Sequence, residues 1–291
     1  MHEDEVDIDA ALVRALLDEQ FPELASSPIE PVASNGTVNA IFRLGPDLCV
    51  RLPRVARWGR DLSKEARWLP QLAPQLSLAV PEPVAVGEPG AGYPFPWAIF
   101  RWIDGETYET DRVDDERRAA VDLAQFVTEL RRIDITGAPR SGRSPLADLD
   151  ELTRGAIASL PDSMDRDAIT AAWERGRDAP AWDGEAVWRH CDLLPPNLLV
   201  AAGRLAAVID FGGVGVGDSA HDVIAAWSVF GATGRATFRH ALDVDDATWE
   251  RARGVALHQA LLIIPYYPDT NPAFVTMAER TVGHVLEDLS S

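Results

Sequence analysis

Apolar residues recur with one period at the start of the chain and with another in the segment that follows. Over residues 6–21 they are spaced three and four apart, which predicts a helix. Residues 40–44 and 48–52 alternate like strands and flank the tight turn Gly45-Pro46-Asp47. The chain is therefore predicted to begin with a helix and a small antiparallel sheet.

A second helix and a longer apolar strand come next. Residues 60–72 carry apolar side chains at helical spacing, and a proline-rich passage over residues 74–96 follows them. The apolar run over residues 97–103 is predicted as a strand, and it ends at Asp104-Gly105-Glu106, which we interpret as a hinge.

Beyond residue 114 the pattern is mostly helical and is interrupted once. The interruption consists of three short apolar strands, predicted at residues 186–189, 198–201 and 205–209. Helical spacing returns at residues 220–230, 249–264 and 272–289. We therefore predict an α+β, two-lobed plan with a β-rich N-terminal lobe over residues 1–103 and a mainly helical C-terminal lobe over residues 104–291.

The amino-acid composition of the chain limits the classes of partner that it is expected to bind. With 291 residues, of which 46% are apolar, the chain can bury a large core. Its 46 acidic and 27 basic residues give a net charge of -19, which disfavours nucleic acid and anionic membranes. No apolar run approaches the roughly 20 residues of a membrane span, and the first residues are acidic, unlike a signal peptide. We expect a cytoplasmic protein whose two cysteines, Cys49 and Cys191, form neither a disulfide framework nor a zinc site.

Three polar residues on the short-strand segments carry the candidate chemistry. Asp192 and Asn197 lie five residues apart in one loop, and Asp210 follows Asp192 by eighteen residues. Phosphoryl transfer needs a carboxylate to receive the proton of the acceptor hydroxyl and metal ions to neutralise the phosphates. A carboxylate together with an amide oxygen suits Mg²⁺. This set therefore indicates a phosphotransferase centre.

The spacing His-x-Asp-x-x-x-x-Asn followed by Ile-Asp-Phe-Gly resembles the signature of the protein-kinase-like superfamily, and within it the aminoglycoside phosphotransferase family. The family pattern falls on His190, Asp192-Leu193 and Asn197-Leu198-Leu199-Val200, and continues at Gly217-Asp218-Ser219-Ala220-His221-Asp222. The resemblance implies a two-lobed kinase-like fold. It also implies Asp192 as catalytic base, Asn197 and Asp210 as Mg²⁺ ligands, His190 as a structural support of the loop, and Asp218 as a brace that accepts backbone hydrogen bonds. It gives no definite role to Asp222.

The residues expected to bind the nucleotide depart from the family pattern. Lys64 is the only lysine of the chain, and it is not in the strand where the superfamily has one. Arg51 occupies that strand, and Glu65, fourteen residues later, is expected to pair with it. We also assign nucleotide contacts to Arg101 and Ile103 of the hinge strand. The turn Ser34-Asn35-Gly36-Thr37 is a further candidate to cover the phosphates, although an ordinary hairpin explains it equally well.

Two substitutions alter the catalytic loop itself. Cys191 replaces a glycine of the family pattern, and Pro196 replaces a frequent glycine before Asn197. Both residues stiffen or crowd the loop.

The sequence indicates the site of the phosphate acceptor less clearly than it indicates the catalytic centre. The aromatic segment over residues 266–271 can form a sugar-binding wall or simply a packed helix turn. Acidic residues that could meet ammonium groups of a substrate, or merely be solvated, are Asp243, Asp245, Asp246 and Asp269.

The resemblance implies a Mg²⁺-dependent O-phosphotransferase that uses ATP or GTP and acts on a hydroxyl of an aminoglycoside-like or other antibiotic molecule. A metabolic kinase for a small alcohol such as choline or a sugar is the first alternative. A catalytically inactive nucleotide-binding protein with a kinase fold is the second, motivated by Arg51, Cys191 and Pro196.

Overall fold

The structure is a computed structural model that describes residues 6–32 and 38–290. Two compact units divide the chain. The first comprises Met1–Gly105 and Ala207–Gly212, and the second comprises Glu106–Ala206 and Gly213–Ser291.

The first unit is built on a five-stranded antiparallel sheet with the strand order β1-β2-β3-β5-β4. Its strands are β1 (Ile29–Pro31), β2 (Asn39–Leu44), β3 (Leu48–Pro53), β4 (Pro83–Gly87) and β5 (Trp97–Arg101). Its helices are α1 (Ala10–Gln20) and α2 (Ala56–Leu72). The helix and the antiparallel sheet predicted for the beginning of the chain are both present. The strand predicted over residues 97–103 ends at Arg101, and β4 lies in the proline-rich passage.

Local chemistry explains where these elements begin and turn. The Asp9 carboxylate accepts a hydrogen bond of 2.8 Å from the backbone N–H of Leu12, which caps α1. Gly45 adopts a φ of 60° in the turn between β2 and β3, a conformation that costs glycine little. One face of the sheet packs on α1 through fully buried side chains that include Leu16, Val50 and Trp97.

The second unit is mainly helical. Its helices are α3 (Glu116–Arg132), α4 (Asp150–Ala158), α5 (Arg166–Arg177), α6 (Ala220–Val223), α7 (Ala225–Ser228), α8 (Ala232–Leu242), α9 (Asp246–Tyr266) and α10 (Pro272–Ser290). Its strands are β6 (Glu106–Thr107), β7 (Val187–Arg189), β8 (Leu198–Ala201), β9 (Arg204–Val208) and β10 (Gly215–Gly217), of which β9 runs on into the segment that clusters with the first unit. The helix predicted over residues 220–230 is two short helices, α6 and α7.

Short strands frame the predicted catalytic loop. β7 pairs antiparallel with β10, and β8 pairs with β6 and β9. The turn between β8 and β9 is Ala202-Gly203, with φ values of 49° and 73°, as a two-residue hairpin turn requires. In the described part of the chain, no helix combines the length and the apolar character needed to cross a membrane.

Candidate active site

The loop from His190 to Asn197 is held at both ends by buried strands. β7 leads into it, the short 3₁₀ helix Pro195–Asn197 closes it, and β8 continues directly from that helix. Pro195 and Pro196 occupy the first positions of the 3₁₀ turn, where their fixed φ suits the backbone and no N–H is needed. The proline substitution noted in the sequence is therefore accommodated by the local fold.

Asn197 holds the side chain of Asp192 in place. Its Nδ2 donates to the backbone carbonyl of Asp192 and to Asp192 Oδ2, with both distances 2.9 Å. Because both partners are acceptors, the nitrogen of the carboxamide must face Asp192. Oδ1 of Asn197 consequently points away from Asp192. The pair thus presents a fixed carboxylate and a separately directed amide oxygen.

Asp222 braces the backbone of the same loop. Its Oδ2 accepts from the N–H of His190 at 2.9 Å, and its Oδ1 accepts from the N–H of Cys191 at 2.7 Å. Asp222 is fully buried, and charge-assisted bonds of this kind are about twice as strong as neutral ones. Arg131 lies near enough to interact with this carboxylate. Burial lowers the pKa of Arg131, and Asp222 and Asp218 oppose that effect.

The prediction that Asp218 braces the loop is wrong. The Asp218 carboxylate accepts from the backbone N–H of Ala220 at 3.0 Å and from Arg251 at 2.8 and 3.2 Å. Its side chain therefore joins the start of α6 to α9. The two loop N–H groups instead donate to Asp222, four residues later in the chain. Asp222, for which the sequence indicated no definite role, is the residue that binds the loop backbone.

His190 lies beneath the loop and is fully buried. Its Nδ1 accepts a hydrogen bond of 3.2 Å from the backbone N–H of Asp192. Nδ1 must therefore be unprotonated in this arrangement. The imidazole contacts the backbone of Asp192, as expected for a residue that supports the loop.

Cys191 takes the backbone conformation of the glycine that it replaces. Its φ is 72°, in the left-handed region that costs a side-chain-bearing residue about 1–2 kcal/mol. The carbonyl of Cys191 accepts from Arg143 Nη2 at 3.0 Å. Burial raises the pKa of its thiol to about 11, with Asp222 adding to the effect. Such a thiol stays protonated at neutral pH and is a poor nucleophile.

In the first unit, Arg51 and Glu65 form the predicted ion pair. Arg51 Nη1 lies 3.0 Å from Glu65 Oε1, and both side chains are buried. The guanidinium also packs over the ring of Phe100, with 4.6 Å to the centroid. Burial lowers the pKa of Arg51, but Glu65, Cys49 and Asp210 together raise it by more, so the pKa is raised overall. Arg51 therefore remains a cation in this buried position.

Glu65 also contacts the segment that carries Asp210. Its Oε1 accepts a hydrogen bond of 3.1 Å from the backbone N–H of Phe211. Asp210 itself has a φ of 65°, again in the left-handed region that aspartate tolerates better than most residues. One carboxylate thus connects the cation on β3 to the Asp-Phe-Gly segment.

The remaining predicted nucleotide contacts lie elsewhere in the first unit. Arg101 ends β5 and pairs with Glu82 at 3.1 Å, and Ile103 follows in the hinge segment. Lys64 pairs with Asp61 at 3.5 Å on the face of α2, away from the position of Arg51 on β3. The turn Ser34-Asn35-Gly36-Thr37 lies outside the described residues.

The donor set fits Mg²⁺ on chemical grounds. Asn197 offers an amide oxygen and Asp210 a carboxylate, and both are hard oxygen ligands of the kind that Mg²⁺ prefers. Neither residue is a soft ligand of the kind that selects zinc or copper.

Two of the four acidic residues considered for substrate binding have structural partners. Asp245 caps α9 by accepting from the N–H of Thr248 at 2.8 Å, and Asp246 pairs with Arg239. Asp243 ends α8 in a left-handed conformation with a φ of 51°. Asp269 is exposed in the turn after α9.

Comparison with known proteins identifies the family and the fold. The model of the phosphotransferase enzyme family matches residues 29–255. No curated protein sequence matches the chain. The GDP and kanamycin complex of APH(2")-IIia is 20% identical with a TM-score of 0.73, and the match covers 92% of this chain and 97% of that chain.

Two further solved structures are similar over most of their length. The streptomycin-ATP-APH(2")-IIa ternary complex is 18% identical with a TM-score of 0.62, over 92% of this chain and 94% of that chain. A macrolide 2'-phosphotransferase type I is 18% identical with a TM-score of 0.64, over 96% of this chain and 98% of that chain. These matches confirm the predicted mixed α+β fold, with a β-sheet N-terminal region and a helical C-terminal part.

Proposed function

Because the chain belongs to the phosphotransferase enzyme family, we propose that it moves the γ-phosphate of ATP or GTP to a hydroxyl of an antibiotic-like small molecule, with Mg²⁺ as cofactor. The family confirms the resemblance inferred from the loop motif and makes the protein a phosphotransferase. The observation that carries the proposal is the Asp192 carboxylate, fixed by Asn197 on a loop that Asp222 braces.

Asp192 is the proposed catalytic base. In the reaction, the acceptor oxygen attacks the γ-phosphorus, the bond from that phosphorus to the bridging oxygen breaks, and the nucleoside diphosphate leaves. The hydroxyl proton passes to the carboxylate of Asp192. The bond from Asn197 Nδ2 to Oδ2 fixes the orientation of this carboxylate.

Asn197 and Asp210 are the proposed ligands of Mg²⁺, which neutralises charge on the phosphates when bound. Asn197 contributes Oδ1, the atom that its bonds to Asp192 direct away from the base. A metal ligand and the orientation of the base are therefore coupled through one side chain. His190 and Asp222 act as positioning residues for this loop.

Arg51 is the proposed phosphate cation, in place of the lysine found in the superfamily. Its guanidinium is held by Glu65, whose second role is to accept from the N–H of Phe211 beside Asp210. Under this proposal residues 1–103 form the nucleotide-binding lobe, and residues 104–291 carry catalysis and acceptor binding. Arg101 and Ile103 contact the base of the nucleotide, and Ser34-Asn35-Gly36-Thr37 covers its phosphates.

The similar structures support the choice of donor and acceptor class. They are a complex with GDP and kanamycin, a complex with ATP and streptomycin, and a macrolide 2'-phosphotransferase. A purine nucleotide donor and an antibiotic alcohol acceptor are therefore the first combinations to assay. Because such nucleotides are cytoplasmic substrates, the proposal also expects the protein in the cytoplasm.

A coupled assay for nucleoside diphosphate release tests the proposal. The wild-type protein is supplied with Mg²⁺ and either ATP or GTP, against aminoglycosides, macrolides and small alcohols such as choline. We expect acceptor-dependent release that Asp192→Asn lowers by at least about a hundredfold, with nucleotide affinity retained. Asp167→Asn, at an exposed position of α5, is the matched control and should behave like the wild type. Wild-type turnover by Asp192→Asn would refute the assignment of the base.

A further inference from the structure

An arginine without a carboxylate partner lies against the backbone of the catalytic loop. Arg143 Nη2 donates to the carbonyl of Cys191 at 3.0 Å. Among the residues that the structure describes, no carboxylate forms an ion pair with this guanidinium. Arg177 and Arg251 of the same unit, by contrast, each pair with an aspartate. In a chain with 46 acidic and 27 basic residues, Arg143 is thus a cation that has been left without a counter-charge.

The segment that carries Arg143 is anchored at its start and open at its tip. The backbone N–H of Val216, in β10, donates to the carbonyl of Pro139 at 2.8 Å. β10 pairs with β7, the strand that leads into the catalytic loop. Residues 142–145 are exposed, and a Cβ added at Gly142 would meet no atom of the described residues within 4 Å. A bound molecule therefore has access to this segment.

Arg143 lies close to the proposed base. The carbonyl that it binds belongs to the peptide bond between Cys191 and Asp192, so standard bond lengths put Nη2 within about 9 Å of the carboxylate carbon of Asp192. Gly213 leaves room beside the guanidinium, because a Cβ added there would lie 3.8 Å from Arg143 Nη2. A small molecule that places a hydroxyl at Asp192 can therefore reach Arg143 with a second group.

The titratable neighbours of Arg143 do not neutralise it. Burial raises the pKa of the Cys191 thiol to about 11, so the thiol is uncharged at neutral pH. Burial also lowers the pKa of His258 to about 4 and that of His221 to about 3, and the charge of Arg143 adds to both effects. Both imidazoles are therefore neutral at pH 7. The guanidinium keeps its full charge and several N–H groups for a ligand.

The chemistry of a guanidinium defines the group that it would bind. Its planar array of N–H donors matches a carboxylate, and such charge-assisted hydrogen bonds are about twice as strong as neutral ones. Under the proposed function, the phosphates of the donor already have Arg51 and Mg²⁺, whereas no cation has been assigned to the acceptor. An ammonium group of an acceptor would instead be repelled by Arg143.

We propose that Arg143 selects an anionic acceptor, a small hydroxy acid whose hydroxyl lies at Asp192 and whose carboxylate binds the guanidinium. Polycationic aminoglycosides are thereby disfavoured. This inference rests on the proposed phosphotransferase function and names the acceptor class of that function.

The experiment compares hydroxy acids with their amides, which differ in charge but hardly in size. The pairs are glycerate with glyceramide and γ-hydroxybutyrate with γ-hydroxybutyramide, and kanamycin serves as a polycation. Nucleoside diphosphate release and direct titration of binding are both measured. For the wild type, we expect kcat/KM for an acid to exceed that for its amide and for kanamycin at least about tenfold.

Arg143→Gln removes the charge and keeps an N–H donor for the carbonyl of Cys191. It should raise KM for the acid about tenfold or more, with kcat changed by less than about threefold and KM for the amide unchanged. Arg143→Lys keeps the charge and should remain within about threefold of the wild type for the acid. Arg117→Gln removes the same charge from an exposed position of α3 and is the matched control. The thermal midpoint of each variant checks that the protein is folded.

The difference between acid and amide separates acceptor binding from a purely structural role, because a distorted loop would impair both acceptors alike. Three results would overturn the inference. These are an acid that is bound and used no better than its amide or kanamycin, an Arg143→Gln variant that raises KM for acid and amide equally, and a rise in KM for the nucleotide in place of the acid.

Failure of the inference is distinguishable from failure of the proposed function. Turnover of kanamycin or of an amide that depends on Asp192, with no preference for the acid, would leave the proposed function standing while the inference fails. Binding of the acid that Arg143→Gln weakens, without diphosphate release for any acceptor, would support the role of Arg143 and refute the proposed function.

Discussion

Replacing Asp222 by asparagine tests how the catalytic loop is held. The carboxylate accepts two backbone hydrogen bonds, from His190 at 2.9 Å and from Cys191 at 2.7 Å, and each bond to a charged acceptor contributes about 1.5–3 kcal/mol. Asparagine keeps one neutral acceptor, worth about 1 kcal/mol, and turns an NH₂ group toward the other N–H. We therefore expect Asp222→Asn to lower the local stability of the loop by about 2–5 kcal/mol.

Hydrogen exchange measured by mass spectrometry reports this local stability directly. A loss of 2 kcal/mol or more lowers the protection of the Cys191 amide by at least about thirtyfold. Because the proposed base, Asp192, then loses its fixed position, kcat should fall about tenfold to a hundredfold, with nucleotide affinity little changed.

Asp218→Asn is the matched control, since it weakens the pair with Arg251 and leaves both loop N–H groups bonded to Asp222. It should leave the protection of the Cys191 amide near that of the wild type. If Asp218→Asn lowered this protection as much as Asp222→Asn does, the assignment of the brace to Asp222 would be wrong.

Three further predictions follow from buried groups. Arg51→Met should lower the free energy of unfolding by about 3–5 kcal/mol in urea denaturation, because the buried carboxylate of Glu65 loses its cation, and Arg51→Met with Glu65→Leu should recover part of that loss; equal stability of the single and double variants would contradict this. Cys191→Gly should have a higher thermal midpoint than Cys191→Ala, since glycine relieves the cost of a φ of 72° and alanine does not; the reverse order would show that the backbone is unstrained. Burial and Arg143 lower the pKa of His258 to about 4, so the unfolded chain takes up a proton below about pH 6.5 while the folded protein does not until about pH 4. Stability should fall by about 3 kcal/mol as the pH drops through this interval, and His258→Gln should flatten the pH dependence of the urea midpoint.

Much of the fold could be predicted because its elements are periodic. Residues 40–44, 48–52 and 198–201 were predicted as strands, and the structure has β2, β3 and β8 there, extended by at most one residue at an end. By contrast, β4 begins at a proline and β10 is only Gly215–Gly217, so neither carries an apolar alternation long enough to recognise. These strands form because their neighbours, β5 and β7, offer them a ladder of hydrogen bonds.

The sequence by itself predicted which polar residues would lie together. The loop spacing placed Asp192 beside Asn197, since residues five apart in a short proline-containing loop cannot separate far, and the resemblance to the superfamily predicted the contact between Arg51 and Glu65. Tertiary structure alone decided that Asp222 and not Asp218 braces the loop, because the choice depends on which carboxylate faces two N–H groups about thirty residues away in the chain. It also decided that Asp245 caps α9 and that Asp246 pairs with Arg239. Local periodicity encodes secondary structure, but the partner of a buried polar group is set only when distant segments pack together.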